Sequence, residues 1–171
     1  LEAEILRMRG QQREALALLA RNEPAGVDPV ALGLLRATLQ LELGMNAEAD
    51  ATVARLREKF PLSVGVANFH TNILLRSGQY EAAARSNQDA FKLHPGNTQA
   101  RFHRALLLKQ RGELTASASE LDDLLAKEPD NVPALLLMGR IAMQKGEFDE
   151  AVQWTERARE HDRASTLPDA L

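Results

Sequence analysis

The chain contains no cysteine. That excludes a disulfide framework and a thiolate metal site, and it leaves the redox compartment unread. Aromatic residues make up only 4% of the sequence, too few for the stacking platforms that hold single-stranded nucleic acid. A basic excess is missing as well: the net charge is −3 and the pI about 5.8, which argues against nucleic-acid binding of any kind. No apolar run approaches the ~20 residues needed to cross a bilayer, so direct membrane insertion is not expected. The phosphate-cradling glycine loop, the serine nucleophile elbow and the paired-histidine zinc motif are all absent. No cofactor, no metal and no catalytic residue is therefore expected, and the chain reads as a non-enzyme.

What remains is a strongly helical composition. Hydrophobic residues reach 44% and charged residues 26%, a globular rather than a disordered balance. Ala, Leu, Glu, Arg and Gln dominate and β-branched residues are sparse, which favours helices over strands. Two punctuation marks recur. Gly10, Gly44, Gly78, Gly112 and Gly146 stand 34 residues apart, and Pro61, Pro95 and Pro129 follow the same spacing, each 17 residues after a glycine. Alternation at half the period means a two-helix unit copied in tandem.

The units fall at 30–63, 64–97, 98–131 and 132–163. A partial unit, 1–29, precedes them, and 164–171 is a tail or the opening of a further unit. First helices are expected at 1–9, 30–43, 64–77, 98–111 and 132–145, each closed by its glycine in the left-handed conformation. Second helices are expected at 12–22, 46–59, 80–93, 114–127 and 148–161, stopped in most units by proline. Gly96-Asn97 and Asp130-Asn131 suit turns that cap the next first helix. Ser165 and Thr166, ahead of Pro168, suit the start of another. Leu1 and Leu171 occupy the same place in the repeat and neither is a unit boundary, so a segment of a longer array is expected.

Small residues recur where paired helices must approach: Ala3, Ala37, Thr71, Ala105 and Gly139 at the eighth place, and Ala15, Ala49, Ala83, Ser117 and Ala151 at the twentieth. Larger residues are expected to fill the space between: Leu56, Phe60, Leu74, Tyr80, Phe91, Leu108, Leu121, Leu124, Leu125, Phe148 and Val152.

This pattern resembles the tetratricopeptide repeat family. Gly139, Gly146, Phe148, Ala151 and Ala158 carry the resemblance in the fourth unit, and Gly78, Tyr80, Ala83, Ala90 and Pro95 in the second. Ala105, Gly112 and Pro129 carry it in the third, with Ser117 where alanine is usual. Two places depart from the family. Its aromatic at the fourth place is replaced by Gly33, Ala67, Arg101 and Leu135, and its leucine at the seventh by Arg36, His70, Arg104 and Met138. Looser packing is expected there, with arginine stems covering apolar surface and their heads in water.

The resemblance implies an all-α, right-handed superhelical solenoid of antiparallel helix pairs whose first helices line a concave groove. It implies a scaffold that binds a protein or peptide in that groove. The residues expected to do so are Asn68, Asn72, Arg76, Gln99, Phe102, Leu106, Lys109, Arg140 and Met143. Asn68 and Asn72 share a helix face, and their amides can pair with a peptide backbone. Arg76, Lys109 and Arg140 favour an acidic ligand beside the apolar Phe102, Leu106 and Met143. The family's carboxylate clamp for chaperone tails is not expected. Its places hold Asn68, Asn72, His103, Pro133 and Leu137, or Leu34, Thr38, Phe69, Gln99 and His103 one unit earlier, without the required cations.

Alternative readings are a regulatory or substrate-positioning arm of a larger enzyme such as a transferase, and a periplasmic scaffold of a bacterial export or polysaccharide-secretion assembly. Either the cytoplasm or a bacterial periplasm would suit. Self-association through apolar array ends near Leu1, Ile5 and residues 167–171 is a further expectation. His70 and His103 lie on neighbouring first helices without further ligands at matching spacing, so they read as buried or groove-edge histidines. Asp122 and Asp123 read as a solvated face. Trp154 is expected to pack on a following unit or on the tail holding Leu167 and Leu171.

Overall fold

The computed structural model describes residues 2–21 and 26–166, with residues 162–166 described through their backbone alone. Every regular element among the described residues is an α-helix. They are α1 (Glu2–Met8), α2 (Gln12–Arg21), α3 (Pro29–Glu42), α4 (Asn46–Lys59), α5 (Val64–Arg76), α6 (Tyr80–Leu93), α7 (Thr98–Gln110), α8 (Leu114–Leu125), α9 (Val132–Lys145) and α10 (Phe148–Thr166).

The glycines close the first helices in one repeated way. At Gly44 the amide donates to the Leu41 carbonyl at 3.1 Å, and the next amide, of Met45, reaches back to Gln40 at 2.8 Å. The same two bonds recur at Gly10, Gly78, Gly112 and Gly146, satisfying carbonyls that the helix end would otherwise orphan. All five have φ between 72° and 82°, where an L-residue is strained. Helix starts are equally explicit. The side chains of Asp28, Ser63, Asn97 and Asn131 each accept a backbone N–H from the first turn of α3, α5, α7 and α9.

The chain divides into two compact bodies, Leu1–His94 and Pro95–Leu171. In the first, α1 pairs with α2, α3 with α4 and α5 with α6, while α2 packs on α3 and α4 on α5. Its core has two centres, one of Ala3, Ala15, Leu19 and Leu39, the other of Ala37, Val53 and Ile73. In the second body α7 pairs with α8 and α9 with α10, and α8 packs on α9 around Leu121, Leu124, Leu135 and Ile141. The small residues of the eighth and twentieth places are all buried, and Ala15, Ala37, Ala49, Thr71, Ala83, Ala105 and Ser117 are fully so.

Several expectations need correction. Helix α10 runs to Thr166 instead of ending at 161, so Ser165 and Thr166 do not open a new helix. The reason is in the sequence: one period after Pro129 stands Arg163, which can continue the hydrogen-bond ladder, and the next proline is Pro168. Tyr80, Phe148 and Val152 do not fill interhelical space. They are 39%, 63% and 57% exposed, because each lies on the outer side of the first turn or two of its second helix. Arginine heads expected in water bond protein instead: Arg36 donates to the Leu19 carbonyl at 2.8 Å, and Arg101 binds Glu120 at 3.0 Å and Asp123 at 2.8 Å. Ile5 is exposed on α1, while Leu1 and residues 167–171 lie outside the described residues.

Candidate functional site

Helix α5 carries Asn68, Asn72 and Arg76, spaced one turn apart. The three are not equivalent. Asn72 and Arg76 are exposed, but Asn68 is only 8% exposed. It stands between the buried Ala67 and Thr71 on the inward side of α5, so its amide is enclosed rather than open. The pairing of Asn68 with Asn72 on one open face is thereby corrected.

In the second body α8 packs on both first helices, α7 and α9. Phe102 and Leu106 of α7 are half-buried against the core that α9 builds. Gln99 is exposed, its amide nitrogen 3.2 Å from Nε2 of His103. Lys109, Arg140 and Met143 line one open hollow of about 480 Å³, together with Leu136, Gly139, Gln144 and Thr155. The hollow has a tight base. A Cβ added at Gly139 would stand 3.1 Å from the Thr155 hydroxyl and 3.4 Å from the Ala151 carbonyl, and that hydroxyl is already committed to Ala151 at 2.8 Å.

Electrostatics distinguish this hollow from the ion-paired surface of α7 and α8. Arg101 and Arg104 share Glu120, and Lys145 binds Glu147 at 3.2 Å. Lys109 and Arg140 have no carboxylate within ion-pair distance among the described residues, and no acid lines the hollow beside them. Leu136 and Met143, 40% and 56% exposed, supply open apolar surface beside these cations. Leu136 and Gln144 stand one helical turn either side of Arg140 on α9, so their place beside it is legible in the sequence. What it missed was Thr155, which enters from α10 and whose only sequence signal is the glycine opposite it.

The histidines are explained within their own bodies. His70 Nδ1 lies 3.0 Å from the Ser86 hydroxyl, which donates onward to the Ala67 carbonyl, so the ring nitrogen is the donor. Burial, reinforced by Arg57, lowers the His70 pKa. His103 is 1% exposed, and burial pushes its imidazole down to about 4. Among the described residues no three His, Asp or Glu side chains gather as a metal site, and no helix is long and apolar enough to cross a membrane. Asp122 and Asp123 are exposed, with Asp123 held by Arg101. Trp154 is half-buried against the core of its own body, with the Arg157 guanidinium 5.6 Å from its ring centre.

Two family models, each described as tetratricopeptide repeat, match residues 71–124 and 108–171, and so span 71–171 between them. The chain belongs to the tetratricopeptide repeat family. A thermophilic tetratricopeptide repeat protein of Thermus thermophilus, TTC0263, superposes with a TM-score of 0.78 at 22% identity, over 93% of this chain and 87% of that one. MamA 41-end from Desulfovibrio magneticus RS-1 superposes at 0.69 and 17% identity, over 96% and 93%. A MamA structure labelled MSR-1 gives 0.64 at 18% identity, over 96% and 95%. At such identities the likeness is one of fold. A comparison with the curated proteins found no match in sequence. The tetratricopeptide repeat is a protein-interaction scaffold whose stacked helices build a contiguous surface.

Proposed function

We propose that this tetratricopeptide repeat protein is a non-catalytic scaffold that holds an acidic, partly apolar peptide segment against the first-helix faces of α7 and α9. One observation carries the reading: Lys109 and Arg140 stand without carboxylate partners beside the exposed Leu136 and Met143, at the rim of a hollow of about 480 Å³. Cations left unpaired beside open apolar surface fit a ligand that brings both carboxylates and aliphatic side chains. Gln99, Phe102 and Leu106 add polar and apolar capacity along α7 in the same body.

The test is fluorescence polarisation with a dye-labelled peptide that alternates glutamate and leucine. A Lys109→Ala, Arg140→Ala double variant should bind at least tenfold more weakly, with far less salt dependence, while its helical circular dichroism is unchanged. Met143→Ala should weaken binding without altering the salt slope. Equal binding by wild type and double variant would remove the site.

A further inference from the structure

Each second helix that a following first helix covers within its own body keeps its twenty-fourth place buried. Leu19 lies under α3, Val53 under α5 and Leu121 under α9, none more than 6% exposed. Thr155, at that place on α10, is exposed. It belongs to a row. Phe148, Val152, Thr155 and Arg159 follow at i, i+4, i+7 and i+11 along one side of the helix, and all four are exposed. Their counterparts on α8 are Leu114, Ala118, Leu121 and Leu125. The first two are half-buried against the core that α8 and α9 share, and the last two are buried. The seam that α9 covers on α8 is open on α10.

The helix pair does not itself require apolar residues there, since α4 carries Asn46 and Asp50 at the places of Phe148 and Val152. On α10 those places hold two apolar side chains, 63% and 57% exposed. Nor does the chain fold back over them. Residues 126–131 turn it between α8 and α9, whereas their counterparts, 160–165, are helical in α10, so the chain runs on along the helix axis. The seam also has a charged edge. Asp149, Glu156 and Glu160, all exposed, recur at i, i+7 and i+11 about 100° round the helix from Phe148.

We infer that this seam docks an amphipathic helix of a partner protein, laid along α10 as α9 lies along α8. Its apolar stripe rests on Phe148 and Val152, and its lysines or arginines face Asp149, Glu156 and Glu160. From Phe148 to Arg159 the seam runs about 16 Å, three turns of helix. Anchors at one-turn intervals are those by which an amphipathic helix is held, and the acidic edge fixes the sign and register of the partner. The seam meets the α7–α9 hollow at Thr155 but needs neither Lys109 nor Arg140, so it does not rest on the reading of that hollow.

The probe is a dye-labelled designed helix of about eighteen residues, with leucines at i, i+4, i+7 and i+11 and lysines along one edge, titrated into the whole protein by fluorescence polarisation. Saturable binding is expected with a Kd on the order of 10–100 µM. A peptide of the same composition with its leucine spacing scrambled should bind roughly tenfold more weakly or worse. Val152→Lys and Phe148→Ser, both at exposed positions, should each weaken binding by about fivefold or more with the thermal melt unchanged, and either one serves if the other fails to fold. Glu156→Gln should reduce the salt dependence. The Lys109→Ala, Arg140→Ala double variant should bind this probe as the wild type does, which keeps failure here distinct from failure of the α7–α9 site. Absence of saturable binding, equal binding of the scrambled peptide, undiminished binding by the folded seam variants, or loss of binding in the Lys109, Arg140 double variant would overturn the inference.

Discussion

The Ser117 hydroxyl donates to the Ala105 carbonyl at 2.7 Å, across the closest approach of α7 and α8. Both residues are fully buried. A hydroxyl can stand where the repeat otherwise places a methyl only because this one bond satisfies it. Ser117→Ala removes donor and cost together. It should shift stability by no more than about 0.5–1.5 kcal/mol in chemical denaturation. Ser117→Val keeps the size roughly but adds a methyl at the contact, and should cost more than the alanine. The reverse order would mean that the hydroxyl, not the close approach, controls the site.

Ala83 is the same place one repeat earlier, and it too is fully buried. Its partner across α5 is Thr71, likewise buried, whose hydroxyl is turned back onto its own helix at Ala67. No slack exists on either side. Ala83→Leu should therefore overpack the α5–α6 contact and cost about 1–3 kcal/mol. A thermal melt superimposable on that of the wild type would show that the two helices do not meet at this pair.

His103 makes stability depend on pH. In the folded chain its imidazole stays neutral down to about pH 4, because burial opposes the charge. In the unfolded chain it takes up a proton near 6.5. Between these values the unfolded state binds the proton that the folded state refuses, so stability falls as pH falls from about 6.5 to about 4, and no further below that. The loss is at most on the order of 3 kcal/mol. His70, lowered in the same direction, adds to it. His103→Gln, which cannot titrate, should flatten the denaturation midpoint across that window. An unchanged slope would place the acid sensitivity elsewhere.

The sequence reads well where a place has one physical requirement. A residue that must adopt positive φ is glycine, and a residue at the tightest helix contact is small, so the spacing of Gly10 to Gly146 and of Ala37, Ala49, Ala83 and Ala105 located the helix pairs to within a residue or two at most ends. Capping by Asn97 and Asn131 was legible for the same reason. The site was less so. Asn68 looks like a groove residue on spacing alone, because periodicity gives its angle on the helix but not how far the neighbouring helix overlaps it. Lys109, Arg140 and Met143 could be assigned to one face, yet that Thr155 and Gly139 close its base depends on how α10 crosses α9. Ala67 was visible as a departure from the family pattern.

The glycine that ends α7 separates torsional strain from crowding. Gly112 has φ +80°, and a Cβ built there meets nothing within 4 Å. Space is not what requires a glycine. Gly112→Ala should therefore cost about 1–2 kcal/mol through backbone strain alone. Gly112→Asn, larger but more tolerant of the left-handed region, should recover part of that loss. Gly139 presents the opposite case: its φ is not in the positive range, and its Cβ would press on Thr155 and on the backbone of Ala151. At that position asparagine should be worse than alanine. Denaturant midpoints for the four variants test both orders at once. If asparagine ranks below alanine at Gly112 as well, steric crowding rather than φ governs the helix end, and the repeated carbonyl closure seen at all five glycines would not be what fixes the repeat.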